Sequence, residues 1–245
     1  MSDIILRPNA IPVYGFLSAI AAGGLPVEGE PQLKILDCGA GGPVPPVALF
    51  AQQGFEAFGM DIDPEQLERA RQFCEAQNID VDLRQGDMRA LPFGDESFDY
   101  VFEHYAMCHL SKEDTVKAIS EMQRVLKPGG MAFWGVISTD CWPKSFFGEE
   151  RIPGEFWIME DGELARHSMF TDAEADALVS GWKIESRQKQ VRYLREAAQE
   201  STLAEWMNLL SEQMGRCTQD DWRARYKDRT NAYQYVHLYY ILEKK

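Results

Sequence analysis

The chain has 245 residues, 45% of them hydrophobic, and its 39 acidic against 25 basic side chains give a net charge of −14 and a pI near 4.8. That size and apolar content suffice for one substantial core in a single α/β domain, whereas the acidic balance repels a phosphate backbone and argues against a nucleic-acid partner. The five cysteines, Cys38, Cys74, Cys108, Cys141 and Cys217, form no CxxC pair, so neither a zinc site nor a disulfide framework is indicated, no metal is expected, and a reducing cytoplasm fits.

The apolar run 11–25 follows Arg7 without the strongly basic start of a signal peptide, and reads as a packed helix within an N-terminal helical segment 1–32. No stretch approaches the roughly 20 apolar residues of a membrane span. From Leu33 onward, short apolar runs alternate with amphipathic stretches. LKILDCG, EAFGMDI, VDLRQGD, FDYVFEHY and GMAFWGVIS read as five successive strands. Residues 45–53, 64–76 and 112–126 have helical periodicity, and the Pro45-Pro46 pair and Pro64 suit first helical turns. Right-handed parallel connections follow. Residues 140–171 read as an irregular, aromatic-rich insertion, placed as a lid or an edge cover. WKIESRQKQVRYL and YQYVHLYYILEKK alternate as a final, antiparallel strand pair. Between them 201–228 reads as helical, so 197–232 is expected to be a helical insertion covering the substrate. The basic run Lys183, Arg187, Lys189, Arg192 and Arg195 is explained at strand spacing by a solvated face.

The chemistry is expected at the strand ends. ILDCGAGGPVPP places Asp37, Gly39, Ala40, Gly41 and Gly42 between the first strand and a helix, where glycines let a ligand approach the backbone. By itself such a turn suits several nucleotide cofactors, but Val44 stands where a dinucleotide fingerprint needs glycine. Asp61, at the second strand tip, suits a pair of ribose hydroxyls, whereas Asp63, just before Pro64, suits a helix cap. Asp87 and Met88 follow the third strand, where a carboxylate can accept from an exocyclic amine and an apolar neighbour can pack on a purine.

LDCGAGG, MDIDPEQLERAR, GDMRALPFGDESFDYVF and RVLKPGG, in that order, resemble the class I, Rossmann-like methyltransferases that use S-adenosylmethionine, in particular their small-molecule branch. The resemblance runs from about Leu33 to Thr139. It implies a doubly wound, mostly parallel seven-stranded sheet with an antiparallel last strand and helices on both faces. It also implies that Gly39 and Gly41 hold the methionine moiety, Asp61 the ribose, and Asp87 with Met88 the adenine. Ile62 would pack against adenine and Glu103 would lie near the methionine end. The turn departs from the family where Pro43 replaces a glycine, which removes an N–H donor and predicts a reshaped contact.

An activated sulfonium cofactor leaves the protein mainly to align an acceptor and exclude water. If the acceptor loses a proton, His104 is the best-placed base; His167, with Arg166, is a second candidate toward a polar acceptor, and His109 reads as structural. Trp142, Phe146, Phe147, Trp157 and Tyr14 are expected to line an apolar pocket for a small molecule. Membrane partners are not expected, and the chain is read as a monomer or homodimer. Two alternatives share the strand, the turn and the acid: a non-catalytic S-adenosylmethionine-binding regulator and an NAD-dependent oxidoreductase, the latter opposed by Val44.

Overall fold

The computed structural model describes residues 10–24, 26–27, 31–142, 144–160, 162–195 and 232–245. The five expected strands form as β1 (Lys34–Cys38), β2 (Glu56–Asp61), β3 (Asp82–Gln85), β4 (Phe98–His104) and β5 (Leu126–Ser138). They lie parallel in the order β3-β2-β1-β4-β5. Helix α1 (Ala10–Ala21) precedes them; α2 (Pro46–Gln52), α3 (Pro64–Ala76) and α4 (Lys112–Val125) connect them at the expected places. Asp63 caps α3 by accepting from the Glu65 and Gln66 amides, and Ser111 caps α4 through the Asp114 amide.

Among the described residues the sheet has ten strands, more than the seven expected. Beyond β5 lie β6 (Glu149–Ile152), β7 (Glu155–Glu160), β8 (Glu163–Phe170), helix α5 (Asp172–Leu178), β9 (Lys183–Arg195) and β10 (Ala232–Glu243). Strand β10 runs antiparallel between β5 and β9, as the closing pair requires. Residues 140–171 are therefore not irregular: β6, β7 and β8 form an antiparallel meander whose last residues pair with the end of β5, Met169 with Ile137 and Phe170 with Ser138. Ile137 already has His237 of β10 on one edge, so β8 takes the edge that β4 occupies up to the pairing of His104 with Gly135. The meander thus continues the sheet directly beyond the carboxyl end of β4. Bonds from the Lys112 amide to Glu155 (2.9 Å) and from the Ser168 hydroxyl to the Leu110 carbonyl (2.5 Å) tie it to the start of α4. Apart from Ala232, which begins β10, the helical reading of 197–232 lies outside the described residues.

Two apolar layers sandwich the sheet. On one face α1 brings Phe16 against Phe50, Tyr100, Phe102 and Phe133. The other is built on Trp134, Met122, Phe98 and Tyr240, with Trp134 stacked on Tyr240. Of the basic run on β9, three residues form ion pairs: Lys183 with Glu185 and Glu243, Arg187 with Asp172 and Asp176, Lys189 with Asp140 and Asp172; the side chains of Arg192 and Arg195 lie outside the described residues. Cys38, Cys74, Cys108 and Cys141 are buried free thiols. No helix among the described residues is long and apolar enough to cross a membrane. Thr171 and Glu174 form a reciprocal capping box at the start of α5. Thr171→Ala is expected to cost about 1 kcal/mol, read as a lower urea midpoint with an unchanged slope.

Candidate active site

The expected residues meet at the carboxyl ends of β1 to β4, where the order of the sheet reverses between β1 and β4 and an open α/β sheet binds its ligands. Strand β1 delivers Asp37 fully buried, its Oδ2 accepting from the Val47 amide at 3.0 Å. Pro45 and Pro46 have no N–H, so this is the first amide that α2 offers. Asp37 therefore anchors the helix against the turn. Burial pushes its pKa up to about 8, and the neighbouring Asp61 charge adds to the shift.

Gly39 has φ +98°, and a Cβ there would lie 2.2 Å from that of Ala106. The Gly39 and Ala40 amides both donate to the Met60 carbonyl, at 2.7 and 2.9 Å. Gly41 donates its amide to Asp61 Oδ2 at 2.8 Å, and a Cβ at Gly41 would come 2.5 Å from the same oxygen. Glycine at 41 is thus what lets Asp61 reach the turn. Before Pro43, Gly42 adopts φ +101° and donates its amide to the Gln66 carbonyl, a conformation open to glycine when an extended residue before proline is not used.

Asp61 accepts a second bond from the Asp63 amide at 3.0 Å, which leaves half of its acceptor capacity open. Ile62 beside it is 61% exposed at the strand tip, an unusual position for so large an apolar side chain. Asp87 is more committed. Arg89 donates to both of its oxygens through the guanidinium and to Oδ1 through the backbone, at 2.6 to 3.0 Å, and also reaches Asp114 at 2.9 Å. The Arg89 bond lowers the Asp87 pKa, so this carboxylate is ionised and pinned. Met88 packs, partly buried, against the main core.

Glu103 is fully buried at the end of β4. Its Oε1 accepts from the Ala106 and Met107 amides at 3.0 and 2.7 Å, closing the turn that follows. Burial raises its pKa to about 8 against these bonds, and the charge of Asp37 contributes. Two buried acids with elevated pKa values thus flank the glycine turn, and a burial-shifted pair in a crevice is a mark of function. Cys38, near both, is pushed well above the ordinary thiol range by burial first and these charges second.

Adjacent strand residues face opposite ways, so His104 points to the other side of the sheet from Glu103. There it lies against Phe102, Phe133, His237 and Tyr239. Gly135 of β5 stands between His104 and Tyr239 in the register, and a Cβ on it would come 2.9 Å from the histidine ring; the missing side chain lets rings from β4 and β10 meet across β5. Tyr105 then turns the chain with φ +76°, a strained value for a bulky residue, and its hydroxyl bonds that of Tyr235. Its ring contacts His109 and His237, while His109 lies 5.0 Å, centroid to centroid, from His167. All four histidines of the chain therefore belong to one ring cluster beyond the end of β4.

His104 and His167 sit at opposite ends of this cluster. His167 and Arg166, read together as facing a polar acceptor, are neighbours on β8 and point to opposite faces: Arg166 stacks over Trp157 and approaches Glu155 at 3.6 Å. Trp157 is held between Arg151 and Arg166, and Phe147 is buried against Tyr235. Trp142 is 56% exposed and Tyr14 is exposed on α1, so these aromatics do not form a single wall; the side chain of Phe146 lies outside the described residues. Sequence reasoning missed Tyr105, Tyr235, His237 and Glu160. Tyr235 and His237 had a signal, since with Tyr239 they occupy one face of a strand at period two. A depression of about 490 Å³ lined by Phe55, Ala57, Ile79 and Val81 lies at the amino ends of β2 and β3, the end of the sheet away from these residues.

Residues 35–130 match a family described as "Methyltransferase domain". A sterol 24-C-methyltransferase of Gibberella zeae is 35% identical over 130 residues, 50% of this chain and 33% of that protein. The uncharacterized methyltransferase YcgJ of Bacillus subtilis is 38% identical over 104 residues, 42% of this chain and 40% of that one. The matches thus span less than half the length of these curated relatives. In three dimensions the chain is similar to an S-adenosylmethionine-dependent methyltransferase of Methanosarcina mazei, with a TM-score of 0.62 and 19% identity over 88% of this chain and 93% of the other, a likeness of fold.

Proposed function

We propose that this protein, whose residues 35–130 match a methyltransferase domain and whose fold is similar to that of an S-adenosylmethionine-dependent methyltransferase, transfers the methyl group of S-adenosylmethionine to a small, largely apolar molecule. The observation that carries the reading is the locked contact of Gly41 with Asp61 at 2.8 Å, beside exposed Ile62. It presents a glycine-lined turn, an ionisable acceptor with spare capacity and an apolar surface at the tips of two adjacent strands. The residues fit the cofactor. Gly39, Ala40 and Gly41 would border its methionine portion, Asp61 would accept from ribose hydroxyls, and Ile62 and Met88 would flank adenine. Asp37 and Glu103 would answer its positive charge from below the turn. Asp87 would meet the adenine amine only by loosening its bonds to Arg89, and otherwise acts by fixing the turn that carries Met88.

When bound, the cofactor supplies a methyl group already activated on a sulfonium sulfur. What remains for the chain is to hold the acceptor and keep water out. The meander of β6, β7 and β8, beyond the end of β4, supplies cover, and the ring cluster supplies an apolar wall with the Tyr105 and Tyr235 hydroxyls as its polar point. A hydroxyl or amine acceptor would give up its proton to a ring nitrogen of His104. An acceptor of sterol-like character, as the Gibberella zeae relative's name states for that enzyme, suits such walls.

The test is calorimetric titration with S-adenosylmethionine and with its demethylated product. Wild type is expected to bind both, and Asp61→Ala to bind at least about 30-fold more weakly, the loss of two hydrogen bonds to a charged group, while remaining folded by circular dichroism. A folded wild type that binds neither would sink the reading. Binding would justify screening acceptors with a labelled methyl group.

A further inference from the structure

The geometry points to a binding site for a divalent first-row transition-metal ion, such as zinc, held by His109, Glu160 and His167 with at least one coordination position left open. One ligand atom from each residue lies within 4.8 Å of those of the other two. The three come from separate elements: His109 from the 3-10 turn Met107–His109 after β4, Glu160 from the end of β7, and His167 from β8. Two imidazoles and a carboxylate are a donor set that zinc and its neighbours bind well, with three protein ligands typical of sites that keep an open position.

The state of each donor supports metal over a hydrogen-bonded core cluster. His167 is 5% exposed, yet neither ring nitrogen makes a hydrogen bond of normal geometry. Buried imidazoles are normally satisfied. Its Nε2 is only 3.1 Å from Glu160 Oε1, so the two atoms are close without the alignment that a bond requires. Two donors converging on a third point, rather than on each other, have this arrangement. His109 donates from Nδ1 to the Arg166 carbonyl at 3.0 Å. That bond fixes the tautomer and leaves Nε2 as the basic nitrogen, the way an outer carbonyl orients a metal-bound histidine. An ion here would join the meander to the end of β4 and close one side of the ring cluster. None of this depends on the methyl-transfer reading.

The test uses chelator-stripped full-length protein without a polyhistidine tag. Titration with zinc by calorimetry is expected to give one site per chain, and cobalt(II) is expected to produce visible absorption of a low-symmetry complex. Zinc should raise the melting temperature. Glu160→Gln and His109→Ala, both at exposed positions, are expected to fold and to lose at least about 100-fold in zinc affinity, together with the cobalt band; His167→Ala should do the same. The nearby exposed Glu163→Gln should leave binding intact. Zinc binding that is absent, or that survives in Glu160→Gln and His109→Ala, would overturn the assignment. Because the readouts are metal binding and melting temperature, the result is independent of whether S-adenosylmethionine binds.

Discussion

Replacing Glu103 by glutamine is expected to raise the melting temperature of the ligand-free protein while weakening its binding of S-adenosylmethionine. The ordinary carboxyl value is 4.5, and burial lifts Glu103 to about 8. Between those values the native state holds a proton that the unfolded chain releases, so stability falls as pH rises through the window and levels off above about 8. At pH 7 the cost is up to about 3 kcal/mol, from 1.36 kcal/mol per pKa unit. Glutamine keeps an oxygen for the Ala106 and Met107 amides and has no charge to desolvate. The variant should therefore gain roughly 5–10 °C at pH 8, and the gain should vanish near pH 4.5. For cofactor binding the sign reverses. A cationic sulfonium favours the ionised carboxylate, so wild-type affinity should rise with pH up to about 8, with proton release measurable by calorimetry in two buffers. Glu103→Gln should weaken S-adenosylmethionine about 10-fold or more and the uncharged demethylated product much less. A variant that melts lower at every pH, or binds the cation as well as wild type, would refute this account. Asp37, also near 8, keeps a smaller pH dependence in the variant.

Gly39→Ala should be the more damaging single change. The position has φ +98°, and the new methyl would fall 2.2 Å from the Ala106 Cβ, close to the Ala106 backbone at 3.7 Å. Neither problem has a flexible side chain to absorb it. Strain at the backbone and overpacking are together expected to cost about 3 kcal/mol or more. They act on the turn whose Gly39 and Ala40 amides bond the Met60 carbonyl, so cofactor binding should be lost as well. Adding Ala106→Gly removes the steric part and leaves the dihedral part. The double variant should regain some stability in chemical denaturation but not all of it. A single variant within 1 kcal/mol of wild type would show that the turn relaxes freely and that glycine at 39 is not required by the fold.

The sequence by itself determined the parallel half of the sheet and its chemistry-bearing tips. Strands buried on both faces are continuous apolar runs, and LKILDCG, EAFGMDI and FDYVFEHY are such runs, ending in the acids and glycines found at the crevice. Prolines 45, 46 and 64 marked the starts of α2 and α3 because proline loses nothing in the first turn of a helix. Local chemistry also distinguished Asp63, a cap, from Asp61, a strand tip.

Only the tertiary structure decided the rest, because it depends on contacts between residues far apart in the chain. EERI is exposed throughout, and EFWIME and ELARHSMF bury one end each in a continuous run, not an alternating face, so their pairing emerges only against the end of β5. The elevated pKa values of Asp37 and Glu103 come from burial under elements remote in sequence. His104, His109, His167 and His237 gather because β4, the turn after it, β8 and β10 converge around one edge and end of β5, and because Gly135 leaves room for rings to cross it. A strand fixes which way a side chain points, but which partner it meets is set by sheet order, and sheet order is a property of the whole fold.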